Sequence, residues 1–273
     1  FCRKLKDPFK TITLRCLKLA LWPDLYVAWA VRIFFKVQLG KYDRVMVYLH
    51  PASLLLLSFS KKLSERWIFD CQEVFYPVYA GDRRSPILRI FSPLLIKLQR
   101  HAFKKSDCVF FTSESARKEY IRRKLVDAGK TVHIPLFFDD KAFRNIPVTG
   151  SRFTIAYFGS FGCPNGVRSP APFFQALKRF LDRNPEARSQ TTFEFYGRGR
   201  VERELECIEH LGLQDVVKMN PPVSYERYLE VLAAASVLLL LVSIEHRFFI
   251  PSKMLDYFGV QRPILGLVPF DSE

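Results

Sequence analysis

The chain has 273 residues, of which 49% are hydrophobic and 25% charged, with 12 glycines and 17 prolines. That length and composition can bury a sizeable core, with two cores expected, and exclude a disordered or fibrous protein. Lysine and arginine number 42 against 27 acidic residues, a net charge of +15 that favours anionic partners: nucleic acid, phospholipid headgroups or phosphorylated substrates.

The opening, residues 1–42, is basic and aromatic and shows neither an initial strand nor a glycine-rich turn. Strands are expected at "RVMVYLH" (44–50), "RWIFDC" (66–71), "DCVFFTS" (107–113) and "TVHIPL" (131–136). Helix-patterned segments lie between them, at 51–65, 85–105 and 113–129, and strands alternating with helices predict parallel βαβ units. The polar segment "FFDDKAFRNIPVTGS" (137–151) breaks the rhythm and reads as a linker.

The rhythm then restarts, with strands expected at 152–160, 191–197, 216–223, 236–243 and 263–268. Helices are expected at 171–184, 200–212, 224–235 and 252–259. The longest apolar stretch, Val231 to Ile244, is shorter than the roughly 20 residues a membrane-spanning helix needs. It reads instead as a helix end running into a buried strand. The fold class expected is α/β, with two Rossmann-like doubly wound domains facing a cleft, residues 1–148 and 149–273, both truncated at their outer ends.

The six cysteines are scattered, with no CxxC pair and no clustering with histidine, so they read as thiols in a reducing cytoplasm. No secretory signal is visible.

The residues that can carry chemistry gather at strand ends. In "IPSKMLDYFG" (250–259) Pro251 suits a first helical turn, Ser252 can cap it, and Lys253 adds a full positive charge. Free N–H groups of such a turn, with the lysine, make a phosphate site, and Asp256 can accept hydrogen bonds from ribose. The same residues also describe an ordinary capped helix that packs Met254, Leu255 and Phe258 inward. "YFGSFG" (157–162) and "FYGRGR" (195–200) each put glycine directly after a strand, where a ligand can approach the backbone, and Arg168, Arg198 and Arg200 follow in the loops. None of these matches a dinucleotide fingerprint or a Walker loop. In the first half "IFDCQEVFYP" (68–77) ends a strand in Asp70, followed by Gln72 and Glu73, and "LHPAS" places His50 at another strand end. A carboxylate there can orient a sugar hydroxyl or serve in proton transfer, or simply cap a loop.

With these motifs in view, the second half resembles the donor-binding domain of the retaining GT-B glycosyltransferases, the group 1 family. "IAYFGSF", "FEFYGRGR" and above all "IPSKMLDYFGVQRPILGLV" carry the resemblance, the last being similar to the signature of enzymes of polysaccharide assembly. "IFDCQEVFYP", "CVFFTSESARKEY" and "HIPLFFDDKAF" resemble segments of the matching acceptor domain and linker. The resemblance implies catalytic roles for Lys253, Glu73, Asp70 and Gln72. It implies donor contacts from Gly159, Arg168, Arg198, Val223, Tyr225, Glu245, Ser252 and Asp256. Asp256 stands at the second glutamate of the family's EX7E motif, Phe248 replaces the first, and Gln72 replaces a histidine.

The expected activity is transfer of a hexose from a nucleotide-diphosphate sugar to a glycan or polyprenyl-linked acceptor, with retention, in cell-surface polysaccharide synthesis. No cofactor or metal is expected, since no paired carboxylates stand at a strand end in the second half. Arg3, Lys4, Lys6, Lys10, Arg15 and Lys18, with Trp22 and Trp29, suggest docking at an anionic membrane, which would place the protein at the inner face of the cell membrane. Two alternatives stand beside this reading. One is a catalytically silent homologue acting as a scaffold, suggested by Phe248 and Gln72; the other is a nucleic-acid-binding protein, which lacks any recognisable single-strand module.

Overall fold

The computed structural model describes residues 26–36, 42–59, 67–72, 86–144, 146, 152–160, 169–197 and 201–273, without the side chains of residues 86–91 and 245. The chain divides into two compact units, the first up to Pro135 and the second from Leu136 onward.

Among the described residues of the first unit four short strands, β1 (Val45–Tyr48), β2 (Trp67–Cys71), β3 (Cys108–Phe111) and β4 (Thr131–His133), pair in parallel in the order β1-β2-β3-β4. Helices α1 (Val27–Lys36), α2 (Pro86–Lys105) and α3 (Glu114–Arg122) accompany them. Aromatic rings join sheet to helices: Phe69 lies 5.6 Å from Phe103 of α2, and Phe111 lies 5.1 Å from Tyr120 of α3. These four residues are almost wholly buried.

Two expected helices are realised differently. Residues 51–65 were expected to be helical, but Ala52–Phe59 forms a 3-10 helix. Ser53, Leu54, Leu55, Leu57 and Ser58 are all buried, so the segment has no solvent face to give an α-helical period, and the Ser58 hydroxyl donates to the Leu55 carbonyl at 2.6 Å. The helix expected to reach residue 129 stops at Arg122. Lys124 takes a left-handed conformation with φ 54°, its N–H donates to Ile121 and that of Leu125 donates to Tyr120. This is a Schellman stop built on lysine where glycine is usual.

In the second unit β5 (Phe153–Phe158), β6 (Thr191–Tyr196), β7 (Val217–Asn220), β8 (Val237–Leu241) and β9 (Ile264–Leu267) form a parallel sheet in the order β7-β6-β5-β8-β9. Among the described residues five helices accompany the strands: α4 (Ala171–Arg183), α5 (Ala187–Gln190), α6 (Glu202–His210), α7 (Tyr225–Ala234) and α8 (Lys253–Gly259). The alternation of β5 sorts its side chains onto two cores. Ile155 and Tyr157 pack with Phe173, Phe174, Phe193 and Leu239, whereas Ala156 and Phe158 pack with Leu232, Leu238 and Tyr257. A strand covered on both faces reads as a continuous apolar run, as "TIAYF" does. Residues 231–244 are a helix end and a buried strand, α7 and β8, as their length required. The second unit also takes in the 3-10 turn Asp140–Phe143, within the expected linker, with Phe143 against Gly259.

Candidate functional site

The strand order of the second unit fixes where a ligand can bind. From β5 the chain steps outward to β6 and β7, then returns to β8 and β9 on the other side, so the order reverses between β5 and β8. Crevices at the carboxyl ends of parallel strands open at such a reversal.

The carboxyl end of β5 is built for close backbone approach. Gly159 follows Phe158 with φ 133°, a conformation L residues rarely adopt, and its N–H donates to the Tyr196 carbonyl at 2.9 Å. Beside it, a Cβ added at Gly197 would stand 2.1 Å from the Gly159 carbonyl oxygen. The two strand ends can therefore lie this close only with glycine at position 197.

Lys253, the first residue of α8, reaches back to this corner. Its Nζ donates to the Phe158 carbonyl at 2.9 Å and sits 4.0 Å from the centre of the Tyr157 ring. A Cβ on Gly159 would come within 3.1 Å of that Nζ. The structure thus brings Lys253 and Gly159 together and holds a half-buried positive charge at the end of the central strand. The face of a tyrosine ring stabilises such a cation by about 0.5–2 kcal/mol.

The rest of the helix start differs from expectation. Ser252 is exposed, lies in the right-handed helical region with φ −54°, and makes no side-chain capping bond. The N–H of Met254 donates to Pro251 and that of Leu255 to Ser252, so these two groups already serve the first turn. With only seven residues in α8, the positive charge at this corner comes from the lysine. Phe258, expected to face inward, is 49% exposed, while Tyr257 is fully buried and donates its hydroxyl to the Leu239 carbonyl at 3.2 Å. A tyrosine buried here needs a partner for its hydroxyl, and the Leu239 carbonyl supplies it.

Asp256, one turn along α8, accepts a hydrogen bond of 2.6 Å from the Tyr228 hydroxyl of α7. Burial first, and then the Asp256 carboxylate, raise the pKa of Tyr228 far above the usual phenol value. The Tyr228 ring in turn meets Phe158 edge-on, 4.6 Å between centres. Tyr225, at the start of α7, is 56% exposed with its ring 6.0 Å from that of Tyr228, and Val223 packs against the core beneath. Tyr225, Tyr228, Asp256, Phe158 and Lys253 thus form one connected wall. A separate cavity of about 320 Å³ opens at the carboxyl ends of β8 and β9, beside Ser169 and Pro172 at the start of α4. On its edge the Ser243 hydroxyl shares a 2.7 Å hydrogen bond with His246 Nδ1.

In the first unit Asp70, expected to end its strand, is the next-to-last residue of β2, which closes on Cys71, and the Gln72 side-chain amide donates to the Asp70 carboxylate at 2.8 Å. Glu73, Arg168, Arg198 and Arg200 lie outside the described residues. Glu245 falls in the 3-10 turn Ile244–His246. The Phe248 ring carries the Arg247 guanidinium 4.6 Å above its centre. Among the described residues no group of three or more His, Cys, Asp or Glu is placed to hold a metal ion. Tyr228 escaped the reading of the sequence because it occupies a core-facing helical position, where an aromatic residue signals packing.

No protein-family model and no curated protein matches the chain. Solved structures do. Over 89% of this chain and 45% of its own, TarM superposes with a TM-score of 0.62 at 13% identity. Sucrose-phosphate synthase from Thermosynechococcus elongatus matches 89% of this chain and 62% of its own, with a TM-score of 0.63 at 17% identity. An alpha,alpha-trehalose-phosphate synthase (UDP-forming) from Burkholderia vietnamiensis matches 90% of this chain and 62% of its own, with a TM-score of 0.64 at 13% identity. The chain therefore has the GT-B fold of two Rossmann-like units, and spans about half to three-fifths of the length of these structures.

Proposed function

We propose that the protein is a glycosyltransferase that moves a hexose from a nucleotide-diphosphate sugar to a glycan or polyprenyl-linked acceptor, with retention, in cell-surface polysaccharide synthesis. The observation that carries this reading is the half-buried ammonium of Lys253, held on the Phe158 carbonyl beside Gly159 at the end of the central strand. Cleavage of the sugar–phosphate bond leaves its electron pair on the diphosphate, and a cation already in place there lowers the barrier. Arg168 and Arg198 are assigned to the same phosphates on the resemblance alone, and Ser252 with them. Asp256 takes the ribose, Val223 and Tyr225 the base, and Glu245 the sugar. In the first unit Asp70, Gln72 and Glu73 orient the acceptor hydroxyl, whose oxygen forms the new bond to the anomeric carbon while its proton passes to the departing diphosphate oxygen. Likeness to a synthase named as UDP-forming supports a nucleotide donor.

The test is release of nucleoside diphosphate from a panel of nucleotide sugars, with acceptor glycans or polyprenyl phosphosugars. Lys253→Ala should lower turnover at least tenfold, and wild-type turnover should survive EDTA. Unchanged turnover in Lys253→Ala, or activity abolished by EDTA and restored by magnesium, would overturn the assignment. A second reading, a catalytically silent scaffold, is favoured by Phe248 at the position of the family's first glutamate. It predicts nucleotide-sugar binding without any release of nucleoside diphosphate.

A further inference from the structure

The carboxylate of Asp256 has two oxygens, and the fold commits one of them. Oδ2 accepts from the Tyr228 hydroxyl at 2.6 Å, across 28 positions of sequence and from a different helix. Tyr228 is itself fixed: its ring meets Phe158 edge-on at 4.6 Å, and Phe158 stacks on Tyr196 with centres 4.8 Å apart and planes 9° from parallel. Among the described residues Oδ1 of Asp256 has no hydrogen-bond partner. A carboxylate held by one oxygen cannot rotate freely about its terminal bond, so the direction of the other is set in advance of any ligand.

We infer that Tyr228 is a positioning residue: its hydroxyl fixes the Asp256 carboxylate so that Oδ1 meets a ribose hydroxyl of the nucleotide. The inference rests on the proposed reading of Asp256 as the ribose ligand and adds the residue that aims it. Aspartate is one methylene shorter than glutamate, so its carboxylate stays close to α8, within reach of a tyrosine projecting from α7. The tyrosine supplies the orientation that α8 itself does not. A phenol buried beside a carboxylate keeps its proton, and so remains a donor throughout the working pH range.

The variant Tyr228→Phe retains the ring and its contact with Phe158 and removes only the O–H. Calorimetry on the full chain with UDP, ADP, GDP and CDP first identifies the diphosphate that binds. Its 2′-deoxy and 3′-deoxy forms then report recognition of each hydroxyl. Wild type should prefer the ribose form over at least one deoxy form. Tyr228→Phe should bind the ribose form about tenfold more weakly, the scale of one hydrogen bond to a charged group, and the deoxy form unchanged. A role confined to tying α7 to α8 would weaken both forms equally, and that result would overturn the inference. So would a variant that keeps the wild-type preference while Asp256→Asn loses it, which leaves Asp256 as the ribose ligand. If Asp256→Asn keeps the preference, or if no diphosphate binds, the reading of Asp256 fails and this inference with it. Combining both substitutions should cost no more discrimination than Asp256→Asn alone, because the tyrosine acts only through the aspartate.

Discussion

At the scale of single residues, the carboxyl end of β5 depends on two glycines for different reasons. Gly159 is required by its backbone angle, and Gly197 by the space beside it. A methyl group at Gly197 would stand 2.1 Å from one backbone oxygen and 2.7 Å from Cζ of Phe195, so the strand ends must separate to admit it. Overpacking of this kind costs about 1–3 kcal/mol. Gly197→Ala should therefore lower the melting temperature by several degrees and weaken nucleotide binding together. Gly129→Ala is the control: nothing lies within 4 Å of its added Cβ, and its melting temperature should stay near wild type. Equal melting temperatures for the two variants would show that the strand ends yield freely. Gly159 and Lys253 were legible because glycine directly after a strand and a cation at a helix start each have a local chemical signature. The missing Ser252 cap was not legible, since a serine before a helix looks the same whether its side chain bonds inward or faces water. Nor was the exchange of Phe258 for Tyr257 as the buried ring, which turns on a carbonyl 18 positions away.

At the scale of elements, strands were the most readable part of the chain. All nine expected strands occur, each within a few residues of its expected bounds, because short apolar runs closed by polar or glycine residues have few other folded uses. Helix ends were less readable where their stop signals were unusual, as at Lys124. That Schellman turn follows a charged cluster in α3, where Glu119 receives hydrogen bonds from Arg122 at 2.6 Å and Arg123 at 2.6 Å. Glu119 is 9% exposed, and chiefly its bond to Arg122, with Arg123 adding to it, lowers its pKa from 4.5 to about 2. A carboxylate depressed in the folded state stabilises the fold above its unfolded pKa and loses that contribution as pH falls through the folded value. The window here runs from about pH 4.5 down to about pH 2. Its full size is at most about 3 kcal/mol, less whatever solvent screens from the exposed Arg122. Wild type and Glu119→Gln, melted side by side from pH 7 to pH 2.5, should differ most above pH 4.5 and converge as the acid is titrated. A constant difference across that range would mean the carboxylate contributes only its shape.

At the scale of the whole molecule, the net charge of +15 asks for an anionic partner that a single nucleotide does not account for. The basic residues from Arg3 to Lys18 lie outside the described residues, but the helix that follows them is described. Along α1 only Ala30 is buried, while Trp29 is 49% and Phe35 79% exposed, and the helix carries Arg32 and Lys36 without an acid. No helix among the described residues is long and apolar enough to cross a membrane. Aromatic side chains beside cations on an exposed helix suit the headgroup region of an anionic leaflet, where a lipid-linked acceptor would be found. Each lysine or arginine near such a surface adds about 1 kcal/mol, and a fully buried aromatic ring about 1.5–3 kcal/mol. Sedimentation with phosphatidylglycerol-containing vesicles should therefore show binding that neutral phosphatidylcholine vesicles do not support and that weakens as salt is raised. The double variant Trp29→Ser, Phe35→Ser should reduce that binding at least tenfold while leaving nucleotide affinity unchanged, since both residues belong to the first unit and the proposed nucleotide site to the second. Equal binding to neutral and anionic vesicles, or none to either, would leave the charge excess to some other anion and the exposed rings of α1 to some other surface.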